Sequence, residues 1–521
     1  MVNKIKKTNP IKTIVLMLTL MLFVLSSFSV AAFQVSQPMT DTGQNDCYSN
    51  DGQISFPSQN SPYFGQDAQY TTNPMAYRDN GGGTVSDLVT GLMWSKAVDE
   101  TKVSLVTAHK TAEKMTLGGY SDWRVPNIKE LYSLMNFSGN TGFNNRNLKA
   151  AAPSNAIPYI NTDFFEFRFG NTVAGERYID AQWLSSTRYV STTMNGAKTL
   201  FGVNFADGRI KGYGYSHSKG RRPEKKFYAR YVRGNRYGTN DFKDNKDGTV
   251  SDNATGLMWM KTDSGKGMNW SEALTYAENF EYGGYNDWRL PNAKELQYIV
   301  DYTRSPDTTD SAAIDSVFDM TPIKNEKGQT DYPYFWTSTT HLDGPQPGNH
   351  AVYISFGRAM GKMRGTNMDV HGAGAQRSDP KKGQGHISRG PQGDWVRVNN
   401  FVRLVRGGSV TQVQEEPAKD KSGYPYKIKV ADNKAIGKAL DPFQTKQLER
   451  QPPQPGHRPD QPPDRMGFVL RLDKDGDGKV SRSEFDGPRP HFFQLDTDQD
   501  GYLSEDEAPK GPPPRRKVPR Q

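Results

Sequence analysis

Hydrophobic positions follow a helical period in two short stretches of the chain. Trp270, Ala273, Leu274, Ala277 and Phe280 recur at three- and four-residue steps, and so do Leu105, Ala108, His109, Ala112 and Met115. Such spacing puts them on one face of an amphipathic helix. His109 stands where the later stretch has Leu274, which predicts a histidine packed in the core and not a ligand. A second helix is predicted after each: Asn127 and Asn292 lie three residues before Glu130 and Glu295. This is the Asn form of a capping box, in which the two side chains satisfy amide donors that a helix start leaves free. Leu131, Leu134 and Met135, or Leu296 and Ile299, then supply a buried stripe. Farther on the period changes to two. Trp183-Leu-Ser-Ser-Thr187 and Trp336-Thr-Ser-Thr339 precede alternating runs at Phe201–Phe205 and Val352–Phe356, which read as strands. Helices early and strands late predict an α+β domain, present twice.

The repetition is explicit in the sequence. Thr84–Lys96 recurs as Thr249–Lys261 with ten of thirteen residues identical, and Gly118–Leu131 recurs as Gly283–Leu296 with eleven of fourteen. Both pairs share one offset of 165 residues. That exceeds the roughly 20–50 residues of a solenoid unit, so each copy is a whole domain. The copies close on Tyr228-Ala-Arg-Tyr-Val-Arg-Gly234 and Phe401-Val-Arg-Leu-Val-Arg-Gly407.

Composition narrows the setting. The 521 residues include a single cysteine, Cys47, which excludes a disulfide framework, a multi-cysteine zinc site and cysteine-pair redox chemistry. Lys4, Lys6, Lys7 and Lys12 precede an apolar run, Ile14–Leu25, and then Ser29-Val-Ala-Ala32. This is the pattern of a secretory signal peptide over residues 1–32, with cleavage after Ala31 or Ala32. The run is shorter than the ~20 residues that span a bilayer, so no transmembrane anchor is expected in the mature chain. The net charge of +9 permits a polyanion partner without identifying one; no specific nucleic-acid partner is indicated.

Together, Gly-Thr-Val-Ser-Asp, Thr-Gly-Leu-Met-Trp, Asp-Trp-Arg-x-Pro-Asn-x-x-Glu-Leu, Trp-x-Ser-Thr and Val-Arg-x-Val-Arg resemble the Lcl C-terminal-like domain, over about residues 76–235 and 240–409. The resemblance implies a C-type-lectin-like fold in exported bacterial proteins, some adhesive or glycan-binding. Thr42–Tyr48 and Tyr63–Ala68 are similar to the leader that often precedes such domains. Phe56 stands near the place of its usual second cysteine, and Tyr231 and Leu404 stand where many members have cysteine. The acid-Pro-acid/Asn and Trp-Asn-Asp triplets of calcium-dependent sugar sites are missing, as are the cysteines of the formylglycine-type oxidases related in fold.

Asp122-Trp-Arg124 and Asp287-Trp-Arg289 are the candidate chemistry of the repeat. The bland reading is structural: the ring fills the core and the Arg–Asp pair fastens a loop. Asp244-Asn-Lys-Asp-Gly248 superficially resembles a calcium loop, but register puts Lys243 and Ala254 where carboxylates are needed, so a hairpin is predicted. Copy 2 carries an insertion, Gly357–Asn400, with eight Lys or Arg against three acids. It reads as a solvated flexible loop or a polyanion-binding one.

Residues 410–465 form a Pro-rich linker, followed by two 12-residue calcium loops of the EF-hand pattern. In the first, Asp473, Asp475 and Asp477 offer carboxylates, Lys479 a carbonyl, Ser481 a position bridged by water, and Glu484 a bidentate closure. In the second these roles fall to Asp496, Asp498, Asp500, Tyr502, Ser504 and Glu507. Val480 and Leu503 are placed to pair the loops in a short β-contact.

The expected layout is therefore a signal peptide (1–32), a leader (33–75), copy 1 (76–235), copy 2 (236–409), the linker (410–465), an all-α EF-hand pair (466–508) and a basic tail (509–521). The expected function is that of an exported, calcium-binding, non-enzymatic protein of the periplasm, cell surface or medium, engaging a surface glycan, polyanion or protein. The alternatives are an enzyme using the Asp-Trp-Arg surface and a passive envelope assembly component.

Overall fold

In the computed structural model the described residues are 35–413, except 100, 143–146 and 218–223, together with 472, 480, 481, 485, 495, 502 and 503. The expected signal peptide, nearly all of the linker and the basic tail lie outside them. The chain divides into two compact units, Met1–Glu449 and Arg450–Gln521.

Both copies of the repeat build one series of elements. Copy 1 has β1 (Tyr77–Gly81), β2 (Thr84–Asp87), β3 (Met93–Ser95), α1 (Leu105–Lys114), α2 (Ile128–Ser133), β4 (Gln182–Thr193), β5 (Ala197–Asn204), β6 (Arg209–His217) and β7 (Val232–Arg233). Copy 2 has β8 (Phe242–Asp244), β9 (Thr249–Asp252), β10 (Leu257–Met260), α3 (Trp270–Glu278), α4 (Ala293–Tyr298), β11 (Tyr334–His341) and β12 (His350–Ser355). It continues as β13 (Met360–Met363), β14 (Thr366–Asp369), β15 (Gln376–Pro380), β16 (Ile387–Arg389), β17 (Asp394–Val396) and β18 (Val405–Gly407). Sheets dominate, with four α-helices among the described residues.

Local signals read from the sequence act as expected. Both capping boxes form: Asn127 Oδ1 accepts from Glu130 N while Glu130 accepts from Asn127 N, each at 2.8 Å, and the arrangement recurs at Asn292 and Glu295. Asp244–Gly248 is the turn of the β8–β9 hairpin, with Lys246 and Gly248 at positive φ. His109 departs from expectation. It is half-buried at the edge of α1, whereas Leu274 is fully buried.

The closing strand of each copy returns to its first sheet, giving the orders β7-β3-β2-β1 and β8-β9-β10-β18, with Val232 opposite Trp94 and Val405 opposite Trp259. The remaining long strands form a single sheet, β11-β12-β15-β6-β5-β4, three strands from each copy. β15 and β6 meet at its centre, where Gln376 lies opposite Ile210 and its Oε1 accepts from Ile210 N at 3.2 Å. The largest buried apolar cluster takes Trp94, Leu131 and Phe201 from copy 1 and Trp259, Leu296 and Phe335 from copy 2. Pairing the two inner strands removes an exposed edge from each domain. The domains are tandem in sequence but share one core.

Two expectations are corrected here. The insertion 357–400 is not a flexible loop; it supplies β13–β17, including the strand at the sheet centre. Val370, His371, Ala373, Ala375, Gln376, Asp379 and Lys381 are all buried. Four of its eight basic residues make ion pairs within the chain: Arg358 with Asp307, Arg377 with Asp394, Arg397 with Glu326 and, at the surface, Lys382 with Asp51. Lys381 Nζ donates to Thr340 Oγ1 at 2.8 Å and sits 3.7 Å above the Trp270 ring.

The second correction is one of register. Ser186 N donates to Pro126 O and Ser338 N to Pro291 O, while Thr187 and Thr339 accept from the first amides of α2 and α4. Counting back, Trp183 matches Phe335, and Trp336 matches Leu184. The two tryptophans therefore lie on opposite faces of their strands, Trp183 in the shared core and Trp336 in the core of copy 2 alone. A one-residue step in a strand changes the face a side chain occupies.

In the second unit, β19 (Val480–Ser481) and β20 (Tyr502–Leu503) pair antiparallel, with Val480 opposite Leu503 as expected. Both are buried with Leu472, and Phe485 and Leu495 pack against them. Ser481 and Tyr502 lie on these strands. Asp473, Asp475, Asp477, Lys479, Glu484, Asp496, Asp498, Asp500, Ser504 and Glu507 lie outside the described residues.

Candidate functional site

The Asp-Trp-Arg runs are held by backbone bonds to the closing motif, Arg124 N to Val232 O and Arg289 N to Val405 O, each at 2.9 Å. Each arginine then points inward to the adjacent helix start. Arg124 makes parallel bonds of 2.6 and 2.7 Å to Glu130, and Arg289 bonds of 2.7 and 2.6 Å to Glu295. The acid–base pair predicted inside the run is thus a different pair. Arg124 and Arg289 take the capping-box glutamates, because only those carboxylates lie inward, where a bidentate bond is strongest. Asp122 and Asp287 stay at the surface and accept from the last arginine of each closing motif, Arg233 at 2.7 Å and Arg406 at 2.6 Å. Those two guanidiniums lie 3.7 Å over Tyr120 and 3.6 Å over Tyr285. Trp123 and Trp288 are buried, and their indole N–H groups donate to Leu117 O and Tyr282 O, each at 3.1 Å. Every charged group of the motif is spent on a structural partner.

The leader is the second concentration of buried polar groups. Gln44 bonds both ways to the Thr340 backbone, at 2.8 Å each. Lys294 Nζ reaches Thr40 Oγ1, Asp41 O and Ser133 O at 3.0, 2.7 and 2.8 Å, joining leader, copy 1 and copy 2. Burial pushes the Lys294 amine down to about 7. Asp67 accepts from Thr339 Oγ1, and burial, with Asp41 nearby, pushes its carboxyl up to about 8. Both shifts favour neutral forms, as expected for ionisable groups taken out of water. This network ties segments together.

Among the described residues, cavities large enough for small molecules include two. One, of 420 Å³, lies between the copies beside Lys129, Asn240, Asp301 and Asp315. Lys129 Nζ donates to Asn240 Oδ1 at 3.0 Å, and burial pushes its amine down to about 8. The other, of 970 Å³, is a groove between leader residues 59–64 and helix α3, with Tyr63, Tyr276 and Phe280 in its wall. Sequence reasoning missed it. The signal was available in the differences between the copies, since Tyr276 and Phe280 replace Thr111 and Met115.

Among the described residues no group of three or more His, Cys, Asp or Glu side chains is arranged to hold a metal ion. No helix there is long and apolar enough to cross a membrane.

The class defined by these features is a fused pair of β-rich domains, each built around a capped helix start and an Asp-Trp-Arg brace. The family model described as the Lcl C-terminal domain matches residues 83–233 and again 248–371, together more than half of the 521 residues. The chain belongs to that family. The second match stops inside the insertion, yet β18 beyond it completes the first sheet of copy 2 as β7 does in copy 1. Comparison with curated proteins and with solved structures gives no match.

Proposed function

We propose that the chain is an exported, calcium-binding, non-enzymatic binding protein. In this reading its two Lcl C-terminal domains have a C-type-lectin-like fold and engage a surface polymer or partner, while an EF-hand pair binds calcium. Residues 1–32 direct export to the periplasm, the cell surface or the medium. The observation that carries the calcium reading is the pairing of Val480 with Leu503, the eighth position of each 12-residue loop. In an EF-hand pair this is the position at which the two loops would meet. The donor set fits a hard cation: each loop carries three Asp, a carbonyl donor at Lys479 or Tyr502, a serine at Ser481 or Ser504, and a closing Glu484 or Glu507. The four carboxylates at ligand positions in each loop repel one another until a cation neutralises them. The non-enzymatic reading is supported by the Asp-Trp-Arg groups, all engaged in ion pairs or core packing.

Calorimetry of the full chain with calcium is the test. The expected dissociation constant is about 10⁻⁴–10⁻³ M, as for extracellular modules. Glu484→Gln with Glu507→Gln should abolish the heat, and absence of heat from the unaltered chain at millimolar calcium overturns the assignment. A turnover lost on Asp122→Ala and Asp287→Ala, with the fold intact, would instead assign an enzyme.

A further inference from the structure

The groove over α3 is a feature of copy 2 alone in its chemistry. We propose that it is a binding subsite for an uncharged saccharide, an inference that rests on the binding-protein reading above.

Its walls offer the two kinds of contact that a sugar ring needs. Pyranose C–H faces pack on aromatic rings, and hydroxyls need fixed donors and acceptors around them. Tyr276 and Phe280 are half-buried neighbours in its wall, with ring centroids 5.4 Å apart. Tyr63 faces the same groove from the leader and rests on Trp270 at 6.5 Å, with 29° between the rings. The side-chain amides of Gln59 and Asn60 are exposed at the rim and make no hydrogen bond among the described residues.

The groove is preformed. Asn60 and Tyr63 both have φ of 65°, a left-handed conformation that side-chain-bearing residues hold only where surroundings impose it. Here Gln66 Nε2 donates to Tyr63 O at 2.8 Å, and Tyr70 OH donates to Glu278 at 2.9 Å, tying the leader to α3. Charge argues against a polyanion. The lining carries Glu272 and Glu278 against Lys266 alone.

The full chain should be titrated calorimetrically with cellotriose, maltotriose and triacetylchitotriose, with heparin as the anionic comparator. At least one uncharged trisaccharide is expected to bind. Tyr276→Ala and Tyr63→Ala should each weaken it about tenfold, the loss of one stacking contact. Thr111→Ala, the matching position of copy 1, should leave it unchanged, and thermal melting checks that each variant folds. A parallel pull-down on cellulose, amylose and chitin separates the sources: binding only to the polymer, still weakened by Tyr276→Ala, assigns the interior of a polysaccharide chain. Saccharide binding unaffected by both tyrosine variants overturns the groove and leaves the binding-protein reading standing. Binding of heparin alone, or of no saccharide at all, also overturns the groove.

Discussion

Lys129 and Lys294 occupy the same place in the repeated motif, yet their surroundings differ. Lys129 bonds to one amide oxygen and borders a cavity, while Lys294 is buried and bonded to three oxygens drawn from the leader and copy 1. The neighbouring ion pairs diverge in the same sense. The Arg124 side chain is 25% exposed in its pair with Glu130, whereas Arg289 is 4% exposed in its pair with Glu295 and lies under Tyr70 of the leader. The motif sets identical local bonds in both copies, and what packs on top sets how much each bond matters.

Breaking the glutamates tests this most severely. Glu295→Ala strands a buried guanidinium and should cost about 3–5 kcal/mol. Glu130→Ala should cost less, about 1–3 kcal/mol, because water reaches Arg124. Denaturant midpoints read the difference, and equal losses would refute the role given to the leader. A smaller contrast is expected between the lysines. Lys294→Met orphans buried oxygens at about 1–3 kcal/mol, whereas Lys129→Met should stay below about 1 kcal/mol, measured the same way.

A separate effect is a slope with pH. His341 of copy 2 reaches Asp207 O of copy 1 at 3.0 Å and Ser378 at 2.8 Å, and burial, aided by Arg209, pushes its imidazole down from 6.5 to about 3. The folded form therefore resists a proton that the unfolded form accepts. Its contribution is complete above the unfolded value of 6.5 and is lost as pH falls toward about 3. His341→Gln should flatten the acid loss of stability between pH 6 and 4 by up to about 1.4 kcal/mol per pH unit. An unchanged slope would mean that the contact between copies does not feel this histidine.

Legibility followed the range of each interaction. The capping boxes were readable because Asn127 and Glu130 act within one turn, and the β8–β9 turn because Asp244–Gly248 closes on itself. The partner of Arg124 is not legible, because both Asp122 and Glu130 are near in sequence and only the inward direction of the side chain chooses between them. Trp183 and Trp336 match in residue type, but a strand sorts residues by parity, and Phe335 is the counterpart of Trp183. Tyr63 and Tyr276, 213 positions apart, share a groove that no local pattern could announce.

The sequence by itself determined that there are two copies, where their helices begin and which hairpins turn. These depend on bonds between residues a few positions apart or on matches between long segments. Only the tertiary structure decided that the copies share a six-stranded sheet, that the basic insertion is an ordered part of it, and that the leader seals copy 2 more tightly than copy 1. Those outcomes turn on which apolar faces and strand edges meet, and burial of that kind is a property of the assembled chain.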